Sequence, residues 1–343
     1  MEIVMSLIRS VPRKLRSNSR PTVPSPTAVA LLLLAVGGCG SDQAPTAPVL
    51  PVQVAGVRNE VASDAFTTID PPGSDGKFTN PLDINARGDI VGLYNSAPDG
   101  HRHGFLRNAE GVYKMIDFPG STATNADGIN PRGDIVGHAV VSGKRHGYLR
   151  KKNGQFTQID VPGASVSLAI GINPRGDIVG FYCSTTPPAC SAVPGNRTAR
   201  GFLLHKGKFT TIQFPGALET RAFKINRRDQ IVGGYLDASA KSHLFLLSEG
   251  KFRTIDFPGA FETIGGQAGI NPQGDIVSIY CDAEPCKDAN SHGFVLSDGE
   301  FTRIDMPGHI GTGATGINSR GDIVGYYDAD ATHFLGFLRR GRE

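Results

Sequence analysis

The chain has no tryptophan, only 8% aromatic residues and no long stretch with the apolar period of an amphipathic helix. A helical bundle is therefore excluded, and 44 glycines and 23 prolines in 343 residues suit many short strands joined by turns. No GxSxG, HExxH, Walker loop or dinucleotide fingerprint occurs, so no catalytic motif announces itself. A basic surface is missing as well. The net charge is +3, but residues 1–38 alone carry Arg9, Arg13, Lys14, Arg16 and Arg20 against Glu2, which leaves the remainder close to neutral. Such a domain lacks the cations that neutralise a run of phosphates, which argues against nucleic acid as a partner.

What is present begins with an address. The apolar run Ala28 to Val36 follows the basic stretch and leads into Gly37, Gly38 and Cys39. It is too short to span a bilayer, and the order basic, apolar, small is that of a secretory signal. VGGC at Val36 to Cys39 resembles the lipobox of bacterial lipoproteins. The resemblance implies cleavage before Cys39, acylation of its thiol and new amino group, and, with Gly40 next in line, sorting to the outer membrane. The long basic region departs from that pattern, with Met5 as an alternative start, and a soluble secretory signal with a chance cysteine is the rival. Acyl chains anchor at about 0.8 kcal/mol per buried methylene, so lipidation would hold the chain firmly. The expected organisation is a signal peptide over 1–38, a flexible Pro/Ala-rich tether over 39–64 and one folded domain over 65–340. The expected product is a monomer anchored to the bacterial outer membrane through its N-terminal lipid alone, periplasmic or surface-exposed.

The folded part is repetitive. DINARGDIVGLY from Asp83 returns as GINPRGDIVGHA from Gly128, GINPRGDIVGFY from Gly171, KINRRDQIVGGY from Lys224, GINPQGDIVSIY from Gly269 and GINSRGDIVGYY from Gly316. The mean spacing, roughly 47 residues, lies in the range of solenoids and propellers. Two more motifs keep step: HGFL or a variant at His103, His146, Arg200, His243, His292 and Leu335, and FTxID-xPG with its aromatic at Phe66, Tyr113, Phe156, Phe209, Phe252 and Phe301. Each period reads as four short strands, the first two joined by a tight NPRG-type turn. The DIVG strands are apolar on both faces, as a strand packed between two neighbouring sheets must be. The chain opens on a lone FTTID at Phe66 to Asp70 and ends on GFLRR without one, so the first strand would complete the last blade and leave no free edge. The expectation is an all-β, six-bladed β-propeller of four-stranded blades, with an open β-solenoid as the rival.

The units GINPRGDIVG and HGFL, over residues 66–339, resemble the HAF-type extracellular repeats of exported bacterial proteins, with HGF in place of HAF and no tryptophan after the motif. The resemblance implies export and a β-rich repeat fold, and no particular activity.

Several motifs invite functional readings that geometry weakens. RGD at Arg87, Arg132, Arg175 and Arg320 falls in the hairpin turn, where Gly serves the backbone and Asp begins a strand. Asp83, Asn85, Gly88 and Asp89 have a faint look of a calcium loop, but calcium needs 6 to 8 oxygen ligands and the other copies lack the first Asp. His103, His146, His243 and His292 share one repeat position and would be spread around a ring, too far apart to share a metal. Cys183 with Cys190 and Cys281 with Cys286, each in the connection after a second strand, read as two local disulfides in an exported chain.

The tight hairpins of every blade are alike, whereas the loops on the opposite face vary, and loops on a rigid scaffold are where function concentrates. Charges that the repeat does not require occur near the axis: Asp83 and Lys224 where four blades have Gly, and Glu219, Arg221 and Glu262 near the innermost strands. Asp83 and Lys224 are expected on opposite sides of the axis as a partly solvated pair. These five are the ligand-binding candidates, with no metal and no cofactor implied. The functional expectation is a binding or scaffold module with a glycan or protein ligand on the variable-loop face. The alternative is a hydrolase or lyase acting on an envelope or extracellular polysaccharide, with Glu219 and Glu262 as the first carboxylates to test; a deep pocket lined by both would favour it.

Overall fold

A computed structural model describes residues 56–59, 66–184, 199–286, 290–330 and 332–341. The signal peptide, Cys39 as the acylation candidate and Cys190 lie outside the described residues. Two short strands come first, β1 (Gly56–Asn59) and β2 (Phe66–Ile69). Four-stranded antiparallel sheets follow one another: β3 (Ser74–Ile84), β4 (Ile90–Ser96), β5 (Arg102–Arg107) and β6 (Tyr113–Ile116); β7 (Ala123–Ile129), β8 (Ile135–Val141), β9 (Lys144–Arg150) and β10 (Phe156–Ile159); β11 (Val166–Ile172), β12 (Ile178–Cys183), β13 (Arg200–His205) and β14 (Lys208–Ile212). Next come β15 (Glu219–Ile225), β16 (Ile231–Leu236), β17 (Ser242–Ser248) and β18 (Lys251–Ile255), then β19 (Glu262–Ile270), β20 (Ile276–Cys281), β21 (Ser291–Ser297) and β22 (Glu300–Ile304), and finally β23 (Thr312–Ile317), β24 (Ile323–Asp330) and β25 (His333–Arg339).

The turn between the first two strands of each sheet is built by its asparagine. Asn130 Oδ1 accepts the N–H groups of Arg132 at 2.9 Å and Asp134 at 3.0 Å, replacing a backbone acceptor, and Asn85, Asn173, Asn226, Asn271 and Asn318 do the same. The fourth turn position has positive φ, 88° at Gly133, and its counterpart in β15–β16 is Asp229 at 63°, a conformation in which glycine is the less strained residue. After each outer strand the chain turns at xPG, and a hydroxyl on the next inner strand caps it: Thr124 Oγ1 accepts Phe118 N–H at 3.1 Å, as Ser167 does for Val161 and Thr220 for Phe214.

The core lies between sheets, which explains the doubly apolar second strand. Ile135 packs toward the preceding sheet with Val91, Ile116, Ala126 and Ile129, while its neighbour Val136 packs toward the following one with Ile159, Ala169, Ile178 and Phe202. Each such side chain contributes roughly 1.5–3 kcal/mol. One of these interlayers joins the two ends of the chain: Ile69, Val324 and Leu338 pack with Ile84, Ile90 and Phe105. There β2 pairs antiparallel with β25, Phe66 opposite Arg339 and Ile69 opposite Gly336, the pairing that the motif order calls for. The inner strands β3, β7, β11, β15, β19 and β23 each touch the next, and β23 touches β3. These are the blades of an all-β propeller.

One strand was not foreseen. Gly56–Asn59, inside the stretch read as tether, pairs in parallel with β22, Gly56 opposite Glu300. The disulfide Cys281–Cys286 is present and closes the start of the loop after β20. Cys183 is disulfide-bonded as well.

Candidate functional site: the axial channel and its mouth

Near the hairpin end of five inner strands the register slips by a bulge, at Pro81/Asp83, Ala126/Gly128, Ala169/Gly171, Ala222/Lys224 and Ala314/Gly316, and in β19 it shifts over the longer span Ile264/Gly269. Here the strands crowd the axis. A Cβ on Gly171 would stand 2.8 Å from Lys224 Cα, and one on Gly316 2.9 Å from Asp83 Cα, so glycine is dictated by the approach of the next backbone. The two exceptions find each other. Lys224 Nζ lies 3.3 Å from Asp83 Oδ2 and donates to the carbonyls of Asp127 and, at 3.4 Å, Ile170. Asp83 in turn accepts Ile129 N–H and its neighbour Ile84 N–H, both at 3.0 Å. The expectation of a partly solvated pair is corrected: the side chains are only 8% and 14% exposed. The lysine stem is long enough to reach across the axis, so the pair bridges the channel instead of lining it.

The other three candidates stand toward the opposite end of the inner strands. Glu219 is buried and contacts Arg221, whose guanidinium carbon lies 4.9 Å from the centre of the Phe181 ring. Glu262 accepts Ser242 N–H at 2.9 Å, and burial pushes its carboxyl up. The two glutamates are not joined by the cavity found at this face. That cavity, of about 230 Å³, lies between the start of β5 and the crossover into β7, and His101, Arg102, His103, Asp117, Ser121 and Ala123 are among its walls.

Arg102 and Arg145 were missed by sequence reasoning. They occupy one position, the residue before the HGFL motif, in adjacent sheets, where the others carry Ala199, Ser242, Ser291 and Phe334. That departure is visible in an alignment of the motif, but its meaning depends on knowing that the position faces the next inner strand, as Arg102 opposite Ala123 does.

The histidines are held by carboxylates. His103 Nδ1 is 2.8 Å from Asp117 and Nε2 3.0 Å from Asp99; His292 is held likewise by Asp305 and Asp282, His243 by Asp256 and Asp237, and His146 by Asp160. Burial opposes protonation of His103, but the bonds and charges of Asp117 and Asp99 outweigh it and raise its pKa. The bond to Asp256 raises that of His243. Among the described residues no group of His, Cys, Asp or Glu could hold a metal ion.

The RGD triplets are consumed by the hairpins. Arg87 bonds to Asp89, Arg320 to Asp322 at 2.6 Å, and the aspartates Asp134, Asp177 and Asp322 are buried against their turn asparagines. The same turns join neighbouring sheets. Asn85 donates to Asn130 O, Asn130 to Asn173 O, Asn226 to Asn271 O, Asn271 to Asn318 O, and Asn318, at 3.2 Å, back to Asn85 O. Arg87 reaches Pro131 O, and Arg320 reaches Ala86 O.

Fold and site together define a β-propeller with a bridged channel and one polar, uneven face. Comparison with known proteins agrees at the level of fold. A triple arginine-to-alanine mutant of AofleA from Arthrobotrys oligospora aligns with a TM-score of 0.52 at 14% identity, over 85% of this chain and 92% of that one. A protein assigned as TolB from Agrobacterium tumefaciens gives 0.51 at 13%, over 78% and 91%. The β-propeller domain of the Trilobed protease from Pyrococcus furiosus gives 0.45 at 12%, over 78% and 97%. No family model and no curated protein matches the chain.

Proposed function

We propose that the protein is an exported, lipid-anchored, six-bladed propeller that acts as a non-catalytic binding module, with a glycan or protein ligand on the variable-loop face. The count of motif units and the contact of β23 with β3 support the reading of six blades. The leader with its lipobox-like VGGC supports export and acylation at Cys39, the resemblance to HAF-type repeats supports export, and the Cys281–Cys286 disulfide suits an oxidising compartment.

One contrast carries the functional reading. The hairpin face commits its polar groups to bonds between neighbouring sheets, while the opposite face holds the cavity beside Arg102 and charged groups that the scaffold does not need. A glycosidase of the usual kind would place two carboxylates about 5 to 9.5 Å apart around one cavity. Glu219 is engaged by Arg221, and neither it nor Glu262 borders the cavity. A glycan array probed with the full-length protein in detergent, run beside a polymer-degradation screen, tests the proposal. Saturable binding that is weakened by substitutions at Arg102 or Arg145, without product formation, is the expected result; turnover of a polysaccharide would overturn it.

A further inference from the structure

Three arginines stand at the mouth of the channel that the repeat does not require. Arg102 and Arg145 are half-buried on the first and second sheets, and Arg221 rises from the inner strand β15, where the corresponding residues are Asn80, Asn125, Leu168 and Gly313. Arg102 and Arg145 take the same repeat position in adjacent sheets, and their charges act on one another. After burial itself, the charge of Arg145 is what most lowers the pKa of Arg102, and that of Arg221 does the same to Arg145. The acids nearby are already taken: Asp117, which walls the same cavity, is held by His103 Nδ1 at 2.8 Å, Asp127 attracts Arg102 but bonds to His138 Nδ1 at 2.7 Å, and Glu219 bonds to Arg221. Among the described residues no carboxylate forms an ion pair with Arg102 or Arg145, and Arg102 Nε is buried without a hydrogen-bond partner.

Groups of like charge that are desolvated, unpaired and held side by side cost stability, and a fold retains them where something else supplies the opposite charge. Two of the three are also held in place from below. Arg102 lies 5.4 Å above the Phe78 ring and Arg221 4.9 Å above Phe181. A fixed guanidinium presents its planar fork to a two-oxygen anion in a way that a mobile lysine would not. The cavity of about 230 Å³, walled by Arg102 alone of the three, is smaller than sites for drug-sized ligands, which run to about 300–1,000 Å³, and suits one sugar ring. We infer that Arg102, Arg145 and Arg221 form an anion-recognition site at the channel mouth, and that its ligand is a carboxylate-bearing sugar of an acidic glycan. The inference rests on the binding-module reading above and narrows its ligand class.

Calorimetric titration of the full-length protein in detergent tests it with four probes: an oligogalacturonate, its neutral methyl ester, a sulfated oligosaccharide and inorganic sulfate. The acid should bind and the ester should bind about tenfold or more weakly, since each charge-assisted pair lost is worth roughly that factor. Arg102→Gln and Arg145→Gln should each weaken the acid about tenfold and leave the melting temperature unchanged or raised, because each removes an unpaired charge. Arg102→Lys should retain part of the affinity. Ester and acid binding equally would overturn the inference and leave the binding-module reading intact, as would a neutral glycan or protein ligand with no affinity for the acid. Preference for the sulfated probe would refute the carboxylate, and inorganic sulfate binding as tightly as the acid would reduce the site to a simple anion site. A fall in melting temperature with acid binding retained would make the arginines structural. No ligand on any array would overturn both readings together.

Discussion

Lys224 Nζ meets Asp83 Oδ2 at 3.3 Å across the axis of the propeller, joining inner strands β15 and β3 that share no hydrogen-bonded edge. Both residues sit where the other sheets carry glycine. Lys224 is buried and Asp83 largely shielded, their remaining bonds go to main-chain groups, and the pair is a cross-brace before it is anything else.

Breaking the brace on one side should therefore be costly. Lys224→Met leaves the Asp83 carboxylate buried without its counter-charge, with an expected loss of about 3 kcal/mol by chemical denaturation. The double variant Asp83→Asn/Lys224→Met should recover most of that loss, since both charges are gone and the asparagine still accepts Ile129 N–H. Additive losses in the double-mutant cycle would show that the two charges do not interact.

Which parts of this arrangement were legible beforehand depends on the distance over which the cause acts. The spacing of Ile84, Ile129, Ile172 and their counterparts carries the sheets, and the unmatched FTTID carries the pairing of β2 with β25, because both are properties of the backbone repeat. The identity of Asp83 and Lys224 as exceptions was legible too, but their burial was not, since it follows from how far a lysine stem reaches across a crowded axis. Arg102 and Arg145 escaped notice because RHG reads as an ordinary strand start until the facing strand is known. β1 escaped because four residues of GVRN carry no pattern of their own and gain a partner only at the edge of β22.

The asparagine belt should be the most sensitive polar feature of the hairpin face. Asn130→Ala removes the acceptor for Arg132 and Asp134 N–H and the donor to Asp134 and Asn173 O, leaving buried groups unsatisfied. A loss of about 2–3 kcal/mol is expected from equilibrium unfolding. A change within experimental error would mean that the turn holds without its side chain.

The acid and alkaline limbs of stability should both trace to the His–Asp pairs, the acid limb to their carboxylates and the alkaline limb to their imidazoles. His103 and His243 are raised above the ordinary 6.5, so the stability they contribute is full below that pH and is lost as pH rises through their folded values. Asp305 and Asp237 are lowered from 3.8, and Asp99 to about 2, so their contribution is present above pH 3.8 and lost as pH falls through the folded values. Thermal melts should therefore peak between those limits. His103→Asn/His243→Asn should flatten the slope just above pH 6.5 and shrink the share of the acid limb that Asp99 and Asp237 owe to these two partners, leaving the share that backbone N–H groups supply; an unchanged alkaline slope would refute the assignment.

The Cys281–Cys286 staple closes a loop of sequence separation 5, so its loss should matter little to the whole. Replacing both cysteines by alanine should cost about 2 kcal/mol or less and speed hydrogen exchange chiefly in the adjoining loop. Global unfolding at moderate temperature would contradict a local role.

A channel mouth exists only if the chain closes into one ring, and every functional statement above depends on that closure. The direct measurement compares two truncations by denaturant unfolding. Removing residues 40–62 takes away β1, whose four residues add to the outer edge of β22, and should lower stability only slightly. Extending the deletion through Asp70 also removes β2, with Ile69 buried between sheets and Phe66 packed 5.3 Å from Phe337, and uncovers the edge of β25. The account predicts a sharp loss of stability, with aggregation, for the second truncation alone; equal stability of the two would contradict it.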